Sequence, residues 1–425
     1  MGMISGIILA RWLGPHDRGI LALVLVLPST ATTFVKLGVS QSNVYFINRE
    51  HQKPEDVASN VVALGILLGV SVALVIWFFQ DLVLSTVMRE VPRWALGLAL
   101  VRVPFVLIDE YLYGVLQAVG KFKLYNVRLL LSETVRLIAV AVCLVVFDMG
   151  LVAAVVIQTV ITVLNLTWLV VSTRSQIPFT LKISPRLLRA QLVFGAKSYA
   201  QTLTQHMLLR LDIYMVSYFL GPGPTAFYSL ALRFTEMILE IPQGIGVVLY
   251  PRLASADPQE IHRLTAQTCR RTLLMTGICG LFLALVGPRF IVLWYGADYA
   301  PAGEPLVWAS IGALAMSIYV IVTRAFTSQN RQRVNITSGV PALATNFLLN
   351  LVLIPHMGIV GAAMATAFAY SLACTILMYF YVKETGVRVR ELLVPTAEDL
   401  RYFRDLGAKG LHKGMRLIGV GGKPD

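Results

Sequence analysis

The sequence has few charged residues for its length. Of its 425 residues, 14% are charged and 56% are hydrophobic, and the mean hydropathy is +0.71. A soluble globular domain carries about 25% charged residues. This deficit excludes a disordered chain and argues against a soluble enzyme. The composition instead indicates a chain that crosses a membrane many times.

The sequence also lacks the motifs of common catalytic and cofactor sites. Its four cysteines form no C-x-x-C pair, its six histidines show no H-x-x-x-H spacing, and it contains no P-loop. The loops predicted on one side of the membrane are short, which argues against a polymerase, ligase or glycosyltransferase with catalytic carboxylates on a large loop. We therefore expect neither an enzyme nor a metal or cofactor site.

Apolar segments recur along the whole chain. A transmembrane helix needs about 20 apolar residues, and eleven segments reach that length: 19–48, 57–79, 94–119, 122–147, 149–173, 193–220, 225–250, 272–294, 305–328, 334–355 and 357–382. A twelfth, residues 1–12, is shorter and resembles the second half of a helix, so we expect a misassigned start or a truncated gene. The sequence predicts an all-α polytopic membrane protein with about 12 transmembrane helices.

Basic residues are concentrated on one side of these segments. The chain has 36 Lys and Arg against 23 Asp and Glu, a net charge of +13. Alternate loops hold fourteen Lys and Arg on one side and five on the other, and the tail after Val382 adds nine to the richer side. Positive loops remain cytoplasmic, so both termini are predicted inside the cell membrane. The surplus is thus a topology signal, and no nucleic-acid partner is expected.

Short motifs repeat at a nearly constant offset. Residues 12–15 (WLGP) return as 219–222 (FLGP), and residues 149–154 (MGLVAA) return as 357–362 (MGIVGA). Six predicted spans separate equivalent points, so the two copies share one orientation, as in transporters with parallel repeats. The predicted domains are lobes 1–173 and 191–382, each with six helices and related by a pseudo-two-fold axis, the cytoplasmic linker 174–190 and the basic amphipathic tail 383–425.

Polar side chains follow one face of several spans and predict a water-filled cavity. A charge at membrane depth costs at least about 2.5–3.5 kcal/mol and usually faces a partner or water. The candidate cations are Lys36, Arg102, Lys197, Arg210, Arg233 and Arg324. The candidate acids are Asp109, Glu110, Asp212, Glu236 and Glu240, and the candidate uncharged residues are Ser40, Asn43, Gln117, Gln201, Gln205 and Gln243. Lys36 ranks first among the cations because its own helix carries no acid, whereas Arg233 and Glu236 could form a structural pair.

Several of these motifs resemble the Wzx-type oligosaccharide flippases of the multidrug/oligosaccharidyl-lipid/polysaccharide exporter superfamily. The resemblance extends to about Val382 and excludes the tail. Its motifs are residues 10–15 (ARWLGP) with Arg18-Gly19, residues 38–43 (GVSQSN), residues 220–222 (LGP), residues 249–251 (LYP) and residues 357–363 (MGIVGAA). The missing front of the first span leaves any family residue there unassigned.

This resemblance implies a MATE-like pair of lobes that rock between inward and outward states. The implied substrate is a polyprenyl-pyrophosphate-linked oligosaccharide moved from the inner to the outer leaflet, and the implied partners are membrane lipids, a polysaccharide polymerase and assembly proteins. The candidate cations would then hold the pyrophosphate, the uncharged residues the sugars, and the acids a coupling proton or sodium ion. Since about eight cations face about six acids, a strongly anionic glycan is not required.

Three alternatives remain open at this stage. The first is a cation-coupled drug or metabolite exporter of the same superfamily. A lone buried acid would suit cation exchange, but Lys36 occupies that region of the sequence, which argues against this alternative. The second is a peptidoglycan-precursor flippase, a branch that typically has two further C-terminal helices. The third is a membrane-embedded glycan enzyme, which the short outer loops disfavour.

Overall fold

A computed structural model describes residues 2–180, 183–329, 331–401 and 403–404, and within these ranges it contains helices and no strand. The α-helices are α1 (Gly2–Val35), α2 (Val39–Asn48), α3 (Pro54–Phe78), α4 (Gln80–Ser85), α5 (Arg93–Ala118), α6 (Phe122–Val140), α7 (Gly150–Arg174), α8 (Pro185–Leu220), α9 (Pro222–Ser255), α10 (Pro258–Tyr295), α11 (Gly303–Ser328), α12 (Gln332–Thr385) and α13 (Val389–Leu393). A π-helical stretch (Ala141–Val146) extends α6, and a 3₁₀ helix (Ala297–Ala302) precedes α11.

Seven helical segments in the described part of the chain are long and apolar enough to cross a membrane: Met3–Val35, Pro54–Phe78, Leu124–Val146, Gly150–Arg174, Gln259–Tyr295, Ala297–Ser328 and Gln332–Thr385. The more polar α5, α8 and α9 have 26, 36 and 34 residues, which also suffices for a crossing. Large apolar side chains such as Phe78 (82% exposed) and Ile278 (70% exposed) point outward, as a lipid-facing surface requires. The chain is therefore a multi-pass, all-α membrane protein.

The internal repeat reappears in the backbone as paired glycine breaks. Gly14 inside α1 has φ 69° and ψ 174°, and Gly221 between α8 and α9 has φ 80° and ψ −173°. Only glycine populates this region freely. A second pair, Gly150 (φ 64°) and Gly358 (φ 62°), lies at the other repeated motif. Equivalent positions of the two copies thus share the same local geometry, which supports the repeat read from the sequence.

One predicted span is divided in the structure. The segment 19–48 was expected to be a single helix, but α1 ends at Val35, Leu37 and Gly38 have φ angles of 45° and 66°, and α2 begins at Val39. The polar stripe predicted along this segment therefore lies on two helices. Its members up to Lys36 and its members from Ser40 onward do not share one helical face.

Hydrophobic packing joins the two halves of the chain, residues 2–180 and 183–404. The largest buried cluster combines α1, α5 and α7 with residues of α8, α9 and α12, such as Ile213, Tyr228 and Ile359. Smaller clusters lie within each half, around α3 and α5 in the first and around α11 and α12 in the second. At about 25 cal/mol per Å² of buried apolar surface, this shared packing contributes to holding the halves together.

The first part of the tail docks on α10. This part of the tail contains a capping box, in which Thr396 and Asp399 exchange reciprocal backbone–side-chain hydrogen bonds. Leu392 is fully buried in the cluster of the second half, and the buried Asp399 carboxylate accepts hydrogen bonds from Arg270 (2.6 Å) and Arg271 (3.1 Å). The tail up to residue 404 therefore packs on protein. The basic residues after it lie outside the described range.

The Asp399 carboxylate should hold this part of the tail in place. Burial alone would raise the pKa of Asp399, but the hydrogen bonds from Arg270 and Thr396 outweigh it and lower the pKa to about 2. A carboxyl whose pKa is depressed on folding stabilises above its unfolded value near 4 and loses that contribution only as the pH falls toward 2. Docking should therefore not change between pH 5 and 9.

We predict that Asp399→Asn loosens the docked tail. Removing one partner of a buried ion pair costs about 3 kcal/mol, which corresponds to about a hundredfold faster amide exchange in residues 389–404, measured by hydrogen–deuterium exchange. The matched control is Glu398→Gln, because the neighbouring Glu398 is exposed and makes no ion pair within the described residues. Equal exchange in both variants would contradict the role assigned to Asp399.

Candidate functional site

The two halves of the chain touch closely at one end of the bundle, which we call the Gly14 end. The backbones of Gly19 and Pro222 meet so tightly that a Cβ on Gly19 would lie 1.7 Å from the Pro222 carbonyl oxygen. The Arg11 guanidinium donates to the carbonyl oxygen of Trp294 at 2.7 Å, at the end of α10. The two halves are therefore in direct contact at this end.

The halves also touch at the opposite end, which we call the Gly38 end. A Cβ on Gly195 of α8 would lie 2.2 Å from the carbonyl oxygen of Leu37, so the two backbones meet directly. Beside this contact, the buried Gln191 amide donates to the Asn43 Oδ1 atom at 2.9 Å. Asn43, a predicted cavity residue, is therefore part of the contact between the halves.

A cavity of about 420 Å³ lies between the halves, nearer the Gly14 end. It is formed by α1, α6 and α7 of the first half and by α9 and the end of α10 of the second. Its charged and polar lining consists of Ser5, Arg18, Arg136, Gln158, Arg233, Glu236, Glu240 and Tyr295. Of the predicted residues whose side chains are described, Arg233, Glu236 and Glu240 line it, and the others do not.

Two arginines of this cavity have no acidic partner. Arg18 comes from α1 and Arg233 from α9, and neither forms an ion pair or a side-chain hydrogen bond with any described residue. Glu240 lines the same cavity and is likewise unpaired among these residues. The cavity thus presents one free guanidinium from each half of the chain, together with one free carboxylate.

The other cavity charges are neutralised by neighbours. Arg136 contacts Glu133 at 2.6 Å, one turn away on the same helix. Glu236 binds Arg210 of α8 at 2.6 Å, instead of the Arg233 that stands three residues before it. This cross-helix pair is what leaves Arg233 free. Arg210, a predicted cavity cation, is accordingly held by its acid.

Lys36 also has a partner on another helix. Its Nζ atom lies 2.9 Å from the Oε1 atom of Glu110 on α5, and its side chain is only 17% exposed. The Ser40 hydroxyl donates to the Glu110 backbone carbonyl at 3.1 Å. The absence of an acid on its own helix did not leave Lys36 unpaired, because α5 supplies one. These three predicted residues form one cluster away from the cavity lining.

Arg102 and Arg324 lie at separate places, away from the cavity lining. Arg102 is buried, and its Nε donates to the Thr162 hydroxyl at 3.2 Å. Arg324 donates to the Gln243 side-chain oxygen at 3.3 Å. The side chain of the remaining predicted cation, Lys197, lies outside the part of the structure that is described.

The remaining polar candidates do not meet at the cavity either. Gln117 is exposed, and Gln201 and Gln205 are half-buried. Asp109 pairs with Arg128 of α6 through both guanidinium nitrogens. Asp109 is therefore neutralised by Arg128, and neither Asp109 nor the three glutamines line the cavity.

Asp212 is the one predicted acid that is wholly buried without a basic partner within the described residues. Its carboxylate accepts hydrogen bonds from the Tyr228 hydroxyl and from the Thr366 hydroxyl, the latter at 2.9 Å. The network continues from Thr366 through Asn346 to Asn350, whose Oδ1 atom is buried without a partner. Helices α8, α9 and α12 thus enclose a carboxylate, two hydroxyls and two amides.

Arg18 is the main residue that sequence reasoning missed. The predicted spans leave Arg18 in the loop between residues 12 and 19. In the structure one helix ends at the Gly14 break within α1, and the helix that follows already includes Arg18, which lines the cavity. Leu25, which also lines the cavity, follows Arg18 by seven residues, or two helical turns. This helical spacing was the signal that could have identified Arg18.

Two family models match the chain. The model described as polysaccharide biosynthesis protein matches residues 1–257, and the MatE model matches residues 198–355. Among curated relatives, the "Putative O-antigen transporter" of Shigella flexneri is 23% identical over 402 residues, covering 89% of this chain and 93% of that protein. The "Probable low-salt glycan biosynthesis flippase Agl15" of Haloferax volcanii is 22% identical over 203 residues, which span 46% of this chain and only 43% of that relative.

Solved structures show the same fold. An inward-facing multidrug resistance MATE family transporter of the MOP superfamily aligns with a TM-score of 0.74 at 13% identity, covering 91% of this chain and 95% of that one. The lipid II flippase MurJ in an inward closed conformation also aligns with a TM-score of 0.74, at 14% identity and with coverage of 91% and 86%. The expected MATE-like fold is thus confirmed, and the relatives are transporters and flippases.

We predict that Gly195→Ala opens the Gly38 end. The added Cβ would overlap the Leu37 carbonyl, and overpacking costs about 1–3 kcal/mol. The measurement is alkylation by a water-soluble maleimide of a reporter, Val39→Cys, in a background without the native cysteines. We expect about tenfold faster labelling than in the control Gly277→Ala, whose Cβ meets nothing within 4 Å. Equal rates would show that the glycine contact does not close this end.

Proposed function

The chain belongs to the polysaccharide biosynthesis protein family, and we propose that it flips a polyprenyl-pyrophosphate-linked oligosaccharide across the cell membrane for surface polysaccharide biosynthesis. One observation carries this proposal: the unpaired arginines Arg18 and Arg233, one from each half of the chain, line the same cavity. Unpaired guanidiniums in a membrane are costly unless they face water or an anion. A pyrophosphate supplies the matching charge.

Arginine suits this ligand because its planar guanidinium forms paired hydrogen bonds to phosphate oxygens. Two such groups that face one cavity repel each other, and a bound pyrophosphate relieves that repulsion. Since Arg18 lies on α1 and Arg233 on α9, the anion would connect the two halves. Substrate binding would thereby be coupled to the approach of the halves, as alternating access between two states requires.

The sugars would meet the uncharged part of the lining. The Gln158 amide and the Tyr295 hydroxyl line the cavity together with the arginines, and amides and hydroxyls are the usual partners of sugar hydroxyls. A cationic drug is the less suitable cargo, because the free charges of the cavity are two cations against the single acid Glu240. We therefore place a drug or metabolite exporter second.

The direction of transport follows from the predicted orientation. With both termini cytoplasmic, the Gly14 end faces outward and the Gly38 end faces the cytoplasm. The halves touch through backbone contacts at both ends, and alternating access opens one end at a time. Loading from the cytoplasmic leaflet and release to the outer leaflet would then require the Gly38 contact and the Gly14 contact to separate in turn.

The buried Asp212 is our proposal for the coupling group. A carboxylate in a low-dielectric interior has to be neutralised by a proton or a cation, and no basic side chain among the described residues pairs with it. The hydroxyls of Tyr228 and Thr366 and the spare Asn350 oxygen offer further ligands for a bound ion. Asp109, Glu110 and Glu236 suit this role less, because each already binds a cation.

We predict that Arg18→Ala and Arg233→Ala each abolish surface glycan when they replace the native gene. In purified protein, binding of a fluorescent polyprenyl pyrophosphate should weaken about tenfold to a hundredfold, since each hydrogen bond to a charged group contributes about 1.5–3 kcal/mol. The matched control is Arg93→Ala, because Arg93 is exposed and pairs with Asp81 outside the cavity. Normal glycan and normal binding in both cavity variants would overturn the proposed function.

We predict that Asp212→Asn uncouples transport from its driving gradient. The variant removes the charge while keeping the shape, so polyprenyl pyrophosphate should still bind, whereas translocation in vesicles should no longer respond to an imposed proton or sodium gradient. The comparison of the two gradients in the wild-type protein identifies the ion. Asp81→Asn, at an exposed acid, serves as the control. An Asp212→Asn protein that still responds to the gradient would exclude Asp212 as the coupling group.

A further inference from the structure

A groove of about 420 Å³ lies on the outer surface of α6 and α7. Its walls are mainly apolar and open sideways, since Leu131 is 54% exposed, Leu164 55% and Val171 64%. Neighbouring positions on the same two helices, Arg136 and Gln158, line the central cavity instead. The groove therefore lies on the membrane-facing side of this helix pair and is separate from the proposed substrate cavity.

Two hydrogen-bond donors line the groove and have no partner in the part of the chain that is described. They are the side-chain amide of Asn165 and the indole N–H of Trp168, neither of which makes a hydrogen bond with the described residues. Arg128 also borders the groove, but its side chain is only 4% exposed and its Nε atom is fully buried. In a bilayer, where water does not satisfy such groups, each unpaired donor costs free energy.

The polar and apolar parts of the groove lie at different depths in the membrane. Arg128 stands six residues from the start of α6, and Asn165 and Trp168 stand nine and six residues from the end of α7, which is about 9–14 Å at 1.5 Å per residue. Leu131, Leu164 and the deeper apolar walls continue from there toward the bilayer centre. A ligand with oxygen acceptors near the surface and a long apolar chain below them fits this order.

The charge of the groove selects among such ligands. Asp109 binds two nitrogens of Arg128 and neutralises it, so the groove offers hydrogen bonds without net positive charge. Neutral ester carbonyls match these donors better than a pyrophosphate would. Ester carbonyls also lie just below the headgroups, at the depth of the Asn165 amide and the Trp168 indole.

We propose that this groove binds one glycerophospholipid of the leaflet at the Gly38 end. An ester carbonyl accepts hydrogen bonds from the Asn165 amide and the Trp168 indole, and one acyl chain follows Leu131 and Leu164 toward the bilayer centre. The lipid supplies acceptors to donors that the protein leaves unsatisfied. It thereby stabilises α6 against α7, which carry the cavity residues Arg136 and Gln158 on their other side.

The test uses the full chain in vesicles of phosphatidylethanolamine and phosphatidylglycerol. One set of vesicles contains a trace of phosphatidylethanolamine with a diazirine near the carboxyl end of an acyl chain, and a parallel set contains a photoreactive polyprenyl phosphate. After illumination, mass spectrometry maps crosslinked peptides. We expect the phospholipid probe to label residues 128–135 and 161–171 of the wild-type protein above other lipid-facing helices.

Two variants separate a site from ordinary surrounding lipid. Leu164→Trp fills the groove and should reduce this labelling about tenfold. Asn165→Leu leaves the space open but removes one donor, and should reduce it about fivefold. The control is Leu281→Trp, a position on α10 that is 63% exposed and lies outside the groove.

The opposing outcomes are equally definite. If neither groove variant changes the labelling relative to Leu281→Trp, the lipid there is ordinary bilayer lipid and the proposal is wrong. If only the polyprenyl probe labels the groove, the occupant is a polyprenyl chain and the assignment to a phospholipid is wrong. Neither result bears on the binding of pyrophosphate by Arg18 and Arg233, so the two proposals fail separately.

Discussion

The cost of a charge inside a membrane governs how this protein is built. Each buried ionic group has to be neutralised or solvated, and the chain does this mainly between helices. Lys36 on the α1–α2 connection binds Glu110 on α5, Arg128 on α6 binds Asp109 on α5, and Arg210 on α8 binds Glu236 on α9. These pairs tie neighbouring helices within each half of the chain. The charges that have no such partner are therefore the ones that indicate function.

Three of those remaining charges define the proposed mechanism. Arg18 and Arg233 face one cavity from opposite halves, and Asp212 is enclosed by hydroxyls and amides in the second half. The first two are placed for an anion, and the third for a proton or a cation. Separate sites of opposite charge allow cargo and driving ion to bind independently, while the packing between the halves links them.

The glycine positions connect this charge pattern to movement. Gly14 and Gly221 break their helices in the same way at equivalent points of the repeat, and Gly19 and Gly195 let backbones of the two halves touch at opposite ends. A side chain at either contact would hold the halves apart. The repeat therefore supplies two similar units, and the small residues supply contacts that close each end without interlocking side chains.

Sequence reasoning reached the membrane class, the repeat and the family because these depend on local composition and on spacing along the chain. It did not reach the pairing of Lys36 with Glu110 or of Arg210 with Glu236, because periodicity shows which face of a helix is polar and not which helix lies opposite. It placed Arg18 in a loop because the apolar segment begins only at Gly19, whereas the helix after the break at Gly14 already includes Arg18. It also missed the docking of Asp399 on α10, because the arginine partners are distant in sequence.

The central claim is that the free arginines of the cavity move a lipid-linked pyrophosphate across the bilayer. The most direct measurement is translocation in vesicles that contain the purified protein and a fluorescent polyprenyl-pyrophosphate oligosaccharide, followed by chemical quenching of the outer leaflet. The account predicts protein-dependent movement of the label that is lost when Arg18 and Arg233 are both replaced by alanine. Movement that is unchanged in this double variant, or that never exceeds the rate in protein-free vesicles, would contradict it.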